Sequence, residues 1–125
     1  MPKSKLTEFQ WLATVEAHNY PAAHSYLSLV YDPKRVTRII SGLKVAPIVE
    51  FKSKDIFRAS QLSLLGVSNS HVAKDKAKIR RGQGLSPLLL VRDEGLGKVV
   101  IADGYHRLCA IYDFNEDALI RCKIV

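Results

Sequence analysis

The sequence predicts a single α+β domain with a helical leader, for three reasons. Its 125 residues, of which 47% are apolar, suffice for one compact core but hardly for two. Capping signals and prolines divide the first forty-odd residues into short helical segments. From about Lys44, apolar and β-branched runs alternate with helical patterns. We therefore expect a helical leader, residues 1–43, and a main domain, residues 44–125, in one compact unit.

The leader pattern predicts three short helices. A capping box that begins at Thr7 opens the first helix. Pro21 begins the second, because proline fits the first turn of a helix. Asp32 caps the third, which is expected to end at Gly42. The apolar faces of the first two helices would be formed by Phe9, Leu12 and Ala13, and by Ala22, Tyr26, Leu29 and Val30, respectively.

Strands and helices alternate in the predicted main domain. Pro47 indicates that the first strand lies at a sheet edge or begins late. A polar loop around Asn69 and His71 separates the first two helices, and a third helix follows Gly104. The predicted strands are 45–52, 85–91, 98–102 and 118–125. The first two predicted helices are 54–65, with Gly66 as its terminator, and 72–81.

The charge of the chain favours anionic partners without choosing among them. The sequence has 19 Lys and Arg against 12 Asp and Glu, a formal charge of +7. An excess of this size suits nucleotides or nucleic acid, and it suits a protein that is merely soluble equally well.

The cysteines and the chain start predict a reducing, cytoplasmic location. Cys109 and Cys122 form neither a disulfide framework nor a CxxC pair. No stretch approaches the roughly 20 apolar residues of a membrane span, so no membrane contact is expected. The first residues, MPKSKLTEFQW, lack the apolar core of a secretion signal.

One junction, ADGYHRLCA, carries the chemistry that the sequence predicts. If a strand ends near Ile101 and a helix follows, residues 103–107 form the first turn of that helix, where backbone amides lack intrahelical partners. Gly104 would let a phosphate approach the backbone, and His106 and Arg107 could donate to phosphoryl oxygens. Asp103 could cap the helix or help to hold a divalent metal. Equally, this could be an ordinary helix start whose His106 and Arg107 satisfy the protein's own groups.

The order of several separate motifs resembles the ParB/sulfiredoxin superfamily. The motifs are a polar loop and helix in SNSHVAKDKAKI, the strand entry GLSPLLLV, the strand and turn VVIADGYHRLCA, and the closing strand ALIRCKIV. Together they cover a little under half of the chain. Members run through these pieces in this order, and the DGxHR form is closer to sulfiredoxins and free-serine kinases than to partition proteins. The resemblance implies a small mixed sheet with flanking helices.

The resemblance also implies a ligand and an activity. Members bind ATP or ADP for phosphoryl transfer, or CTP as a switch on DNA, and some are described as nucleases. The cofactor expected here is ATP, ADP or CTP with Mg²⁺, and the activity is that of a phosphotransferase, a nucleotide hydrolase or a nuclease. Asp103 would help with the metal, and Asp103, His71 and His106 are the catalytic candidates. The nucleotide would be held by Gly104, Tyr105, His106, Arg107, Asn69 and Lys74.

The chain departs from the resemblance in two respects. Sulfiredoxins carry a reactive cysteine just before His-Arg, where this chain has Tyr105, so sulfinic acid reductase activity is not expected. Cys109 lies one helical turn further on in an apolar stretch and is expected to be a core thiol. The helical DNA-binding domain that follows the nucleotide domain of partition proteins is not expected here, because the sequence stops at Val125.

Two alternatives to nucleotide binding remain open at the sequence level. A DNA-associated module could use the basic segment from Lys74 to Arg81 or a helix-turn-helix in the leader, with Arg35, Thr37 and Arg38 on its recognition helix. A non-catalytic domain could bind a protein partner, with the leader as a lid or a homodimer contact. Solvated helix faces, a capping Asn69 and a surface His71 would explain the same residues without any ligand.

Overall fold

The α+β prediction is confirmed by the computed structural model, which describes residues 9–63 and 69–125. Within these ranges the chain forms five helices and four strands. The helices are α1 (Asn19–Leu27), α2 (Pro33–Val45), α3 (Ser53–Ser60), α4 (Ser70–Arg80) and α5 (Tyr105–Phe114), and the strands are β1 (Val49–Lys52), β2 (Leu88–Asp93), β3 (Lys98–Asp103) and β4 (Leu119–Ile124). Among the described helices, none has the length and apolar character needed to cross a membrane.

The four strands form one mixed sheet in the order β1-β4-β2-β3. β2 and β3 are an antiparallel hairpin, β4 runs parallel to β2, and β1 pairs antiparallel with β4. Leu90 of β2 is paired with Ile101 on one side and with Ile124 on the other. β1 is an edge strand and begins at Val49, after Pro47, as that proline predicts.

The sheet is covered on both faces, which explains the continuous apolar run at the start of β2. Leu88 and Leu90 belong to a buried cluster with α3, α4 and α5. Leu89 and Val91 point to the opposite face, where they pack against α1 and α2. Because alternate residues of a strand face opposite sides, a strand buried on both faces is apolar throughout. The leader helices therefore share a core with the sheet.

The prediction of a first leader helix, opened by Thr7, is wrong for the residues that the structure describes. Residues 9–18 contain no helix. The Leu12 amide donates to the Leu85 carbonyl at 2.8 Å, and the Leu85 amide donates to the Gln10 carbonyl at 2.8 Å. This extended pairing beside residue 85 replaces the expected helical hydrogen bonds. The capping residue Thr7 lies outside the described residues.

The predicted inner face of the second helix is also wrong. Ala22 and Tyr26 are exposed, and Leu29 and Val30 follow the end of α1 and are exposed too. The helix begins at Asn19, so its buried side is Asn19, Ala23 and Leu27. The Oδ1 of Asn19 accepts a hydrogen bond from the Ser86 hydroxyl at 2.6 Å, which fixes this rotation of the helix.

The ends of α2 and α3 differ from prediction, whereas the start of α2 is confirmed. The Asp32 side chain accepts from the Arg35 amide at 2.9 Å and caps α2. Gly42 does not end this helix, which continues to Val45 and stops before Pro47. α3 ends at Ser60, with Gln61 in the left-handed conformation at φ 59°. The predicted terminator Gly66 lies outside the described residues.

Candidate functional site

The junction between β3 and α5 has the strand-to-helix geometry that the sequence predicts. β3 ends at Asp103, α5 begins at Tyr105, and Gly104 lies between them with φ 108°. Gly104 is the N-cap residue, so no side chain caps the helix, and the Leu108 amide donates to the Gly104 carbonyl at 2.9 Å. The alternative that Asp103 caps the helix is wrong. The amides of residues 105–107 are directed out of the start of α5.

Gly104 is required by the packing of the protein as well as by its backbone conformation. A Cβ atom at this position would lie 2.5 Å from Cγ of Leu88 and 2.9 Å from Nη2 of Arg107. A positive φ near 108° is also unfavourable for residues with a side chain. The structure thus supplies a reason for glycine that does not depend on a ligand.

Arg107 and Asp103 form an ion pair at this junction. Nη2 of Arg107 lies 3.0 Å from Oδ2 of Asp103, and the two side chains are only 16% and 17% exposed. Nε of Arg107 is buried and has no acceptor among the described residues. A buried donor without an acceptor is costly, so the guanidinium retains hydrogen-bonding capacity that the protein itself does not use.

A polar cavity of about 240 Å³ opens between α4 and the start of α5. Its cations are Lys74, Lys78 and Arg107, and its carboxylates are Asp75 and Asp103. With the histidines neutral, three positive and two negative groups give this lining a net charge of +1. The remaining lining residues are His71, Gly104 and His106. An anion in this cavity would therefore meet more positive than negative side chains, beside the amides of α5.

Two histidines face each other at the cavity. The ring centroids of His71 and His106 are 4.8 Å apart and their planes are inclined by 38°. Burial, and next the proximity of His71, lowers the pKa of His106 below its ordinary value of 6.5. His106 is consequently neutral at pH 7, when one ring nitrogen can donate and the other can accept a hydrogen bond.

The structure brings together most of the predicted site residues and separates two of them. Asp103, Gly104, His106, Arg107, His71 and Lys74 all line the polar cavity. Asn69 instead caps α4, where its side chain accepts from the His71 amide at 2.9 Å and the Val72 amide at 3.2 Å. Tyr105 does not line this cavity, and its hydroxyl donates to the carbonyl oxygen of Ser63.

Asp75 and Lys78 line the cavity but were not among the predicted site residues. Lys78 follows Lys74 by four residues, so the two lie on the same side of α4 and the sequence spacing could have identified it. Asp75 lies 4.0 Å from Lys78 through Oδ1. Nothing in the local sequence distinguishes this acid from a solvated one.

A second cavity, of about 430 Å³, adjoins the same junction. Asp103, Gly104 and His106 line both cavities. The lining of the second cavity is mostly apolar and also includes Ala22, Tyr26, Leu62, Ile101, Ala102 and Tyr105. Tyr105 lines this second cavity and is not among the residues that line the polar one.

The basic segment 74–81 does not present one continuous face to solvent. Lys76 is buried and forms an ion pair with Asp113, and its ammonium group lies 5.2 Å from the centre of the Phe114 ring. The guanidinium of Arg80 lies 5.4 Å from the same ring. These contacts turn part of the predicted basic surface toward α5.

Two residues of the predicted recognition helix contact other parts of the protein. Arg35 stacks on the ring of Tyr31 at 4.1 Å and lies 3.9 Å from the carboxylate of Asp93. Thr37 donates its hydroxyl to the carbonyl of Pro33 at 3.0 Å. These side chains stabilise α2 and its contact with the β2–β3 hairpin.

Both cysteines are buried in the core, as the sequence predicts for Cys109. Burial raises the pKa of Cys122 to about 12, which keeps this thiol protonated and unreactive near neutral pH. Cys109 is fully buried in α5. Within the described ranges, no group of three His, Cys, Asp or Glu residues is arranged to hold a metal ion by itself.

Comparison of the chain with models of protein families, with curated proteins and with solved structures finds no match.

Proposed function

We propose that this chain is a ParB/sulfiredoxin-type domain that binds the phosphate groups of a nucleotide between α4 and α5. The observation that carries the proposal is the convergence of Lys74, Lys78 and Arg107 on one polar cavity at the uncapped start of α5. The resemblance of the sequence to that superfamily supports the same location, because the DGYHR motif forms this junction.

The start of α5 suits phosphate for two physical reasons. The first amides of a helix lack intrahelical acceptors and carry partial positive charge, so together they favour an anion. Arg107 also lines the cavity, and an arginine can donate two parallel bonds to phosphate oxygens. Asp103 opposes binding electrostatically, although its bond to Arg107 partly offsets its charge.

The proposed ligands are ATP, ADP or CTP with Mg²⁺. Asp103 and Asp75 line the cavity, and Mg²⁺ typically takes one or two protein carboxylates together with phosphate oxygens and water. The described residues therefore fit a metal that arrives with the nucleotide. When bound, Mg²⁺ would neutralise part of the phosphate charge.

We further propose phosphoryl transfer or nucleotide hydrolysis as the activity. His106 is neutral at pH 7, so its ring can take a proton from an attacking hydroxyl group or water, and His71 lies beside it as the second candidate. Lys74, Lys78 and Arg107 would stabilise the negative charge on the transferring phosphoryl group. The sequence has two cysteines, too few for a disulfide framework, which favours a reducing compartment, and we propose the cytoplasm.

Thermal unfolding in the presence of ATP, ADP and CTP, each with and without Mg²⁺, tests nucleotide binding. A ligand at 100 times its Kd stabilises the folded state by about 2.7 kcal/mol, which raises Tm by several degrees. Arg107→Ala should remove this rise, whereas Arg58→Ala, on the exposed side of α3, should keep it. No rise with any nucleotide would refute the proposal.

Asp103→Asn provides a second test in which binding is expected to become tighter. The substitution removes a negative charge from the cavity and releases Arg107, so ATP without Mg²⁺ should bind more tightly than it does to the parent protein. If Asp103 also holds Mg²⁺, the variant should lose any gain in affinity that Mg²⁺ gives the parent. Weaker binding of metal-free ATP would contradict the proposed electrostatics.

The same variants separate nucleotide binding from the two alternatives. A DNA-binding module predicts binding to duplex DNA that weakens steeply with salt and is unchanged in Arg107→Ala. A domain that only binds a protein partner predicts no response to any nucleotide.

A further inference from the structure

The apolar cavity beside the candidate phosphate site lies between α1 and the start of α5, with Ile101 and Ala102 of β3 among its lining residues. The two cavities meet at Asp103, Gly104 and His106. A single ligand with an anionic end and an apolar end could therefore occupy both cavities across this junction.

Two large apolar side chains at this cavity are exposed to solvent. Tyr26 is 45% exposed and Leu62 is 41% exposed. Tyr26 belongs to α1, which packs on the sheet through its other side, whereas Leu62 follows the end of α3. Neither side chain is needed to fill the core, so both remain available to a ligand.

We propose that this second cavity holds the base of the nucleotide, with the leader residue Tyr26 as the aromatic surface on which it stacks. The inference rests on the proposed function, because the cations of the adjoining cavity are what identify the ligand as a phosphate compound. A base has an apolar, planar π-face that stacks on aromatic side chains, which matches an exposed tyrosine in an apolar cavity. The leader would then be part of the binding site.

The proposal makes different predictions for ligands with and without a base. Inorganic triphosphate would fill only the polar cavity, whereas ATP would contact both cavities. ATP should bind the parent more tightly than triphosphate does. Tyr26→Ala should weaken ATP binding about tenfold and leave triphosphate binding unchanged. Tyr26→Phe should retain the affinity for ATP, because it keeps the ring.

Isothermal titration calorimetry with ATP and inorganic triphosphate, both without metal, is the test. Leu62→Ser, at the other wall, should also weaken ATP selectively. Leu29→Ala is the matched control, because Leu29 is exposed just after α1 and lines neither cavity. Circular dichroism checks that each variant folds, which the exposure of all three side chains favours.

The outcomes separate failure of the base site from failure of phosphate binding. If ATP binds no more tightly than triphosphate, or if Tyr26→Ala weakens both ligands equally, the base site is refuted and phosphate binding stands. If neither ligand binds the parent protein, both proposals are refuted. Selective loss of ATP affinity in Tyr26→Ala and Leu62→Ser, with the control unchanged, would establish the base site.

Discussion

Gly104→Ala should destabilise the fold by more than the usual cost of replacing a glycine at positive φ. The new Cβ would lie 2.5 Å from Cγ of Leu88, which is fully buried beneath the junction. Leu88 is held between the sheet and the helices, so it cannot move aside without disturbing the core. The Cβ would also meet Nη2 of Arg107 at 2.9 Å, the flexible end of that side chain.

The magnitude follows from two contributions. A left-handed conformation costs a residue with a side chain about 1–2 kcal/mol, and overpacking a core costs about 1–3 kcal/mol. The sum is a loss of about 2–5 kcal/mol in the free energy of unfolding. Gly97→Ala is the matched control, because Gly97 has φ 67° and a Cβ added there would meet no atom within 4 Å. Its loss should be limited to about 1–2 kcal/mol.

Urea denaturation at pH 7 measures both losses. The single tryptophan, Trp11, is half-buried and pairs with Leu85, so its fluorescence should report the loss of this contact. The slope of the free energy against urea should be unchanged, because the same surface is exposed on unfolding. A Gly104→Ala variant no less stable than Gly97→Ala would refute the packing account of this junction.

Three further predictions concern other charged and titratable groups. The Tyr31 hydroxyl donates to the carboxylate of Asp93 at 2.5 Å, and this bond is the largest cause of the lowered pKa of Asp93. The stabilisation from this bond is present above the unfolded pKa of about 4 and is lost as pH falls through the lower folded pKa. Tyr31→Phe should therefore be less stable than the parent at pH 7 and should lose less further stability in acid. Urea denaturation at pH 7, 4 and 2 measures this, and an identical pH dependence in both proteins would count against it. Lys76→Met should lower the free energy of unfolding by less than about 1 kcal/mol, because its partner Asp113 is 46% exposed and stays hydrated. A loss of about 3 kcal/mol or more in urea denaturation would show instead that the substitution leaves an uncompensated buried charge. Sulfate, whose charge does not change between neutral and mildly acidic pH, should bind more tightly as pH falls from 7.5 through the lowered pKa of His106, because protonation of this ring adds positive charge to the cavity. Calorimetry with His106→Gln should show a smaller increase in affinity, and an equal increase would assign the effect to other groups.

The sheet and the junction were predictable because local patterns agree with the tertiary structure. The runs 98–102 and 118–125 correspond closely to β3 and β4, and both are strongly apolar or alternating. The Asp32 cap and the helix after Gly104 depend on adjacent residues only, so the sequence is sufficient to identify them.

The errors arose where distant residues decide the structure. The segment 9–18 has helical signals, but its backbone pairs with Leu85, some seventy residues away. The rotation of α1 is fixed by a bond between Asn19 and Ser86, which no local pattern reveals. At the site, the ion pair of Arg107 with Asp103 depends on the turn at Gly104, because Asp103 lies at the end of β3 and outside α5. The facing of His71 and His106 depends on how α4 packs on α5.

Backbone amide NMR during a titration with inorganic triphosphate tests phosphate binding at the start of α5 most directly. The amide signals of Tyr105, His106 and Arg107 should shift with saturating dependence on ligand concentration, while the signal of Asp113, at the far end of the same helix, should stay in place. Saturable shifts confined to other parts of the chain, or none at these three amides, would contradict the account.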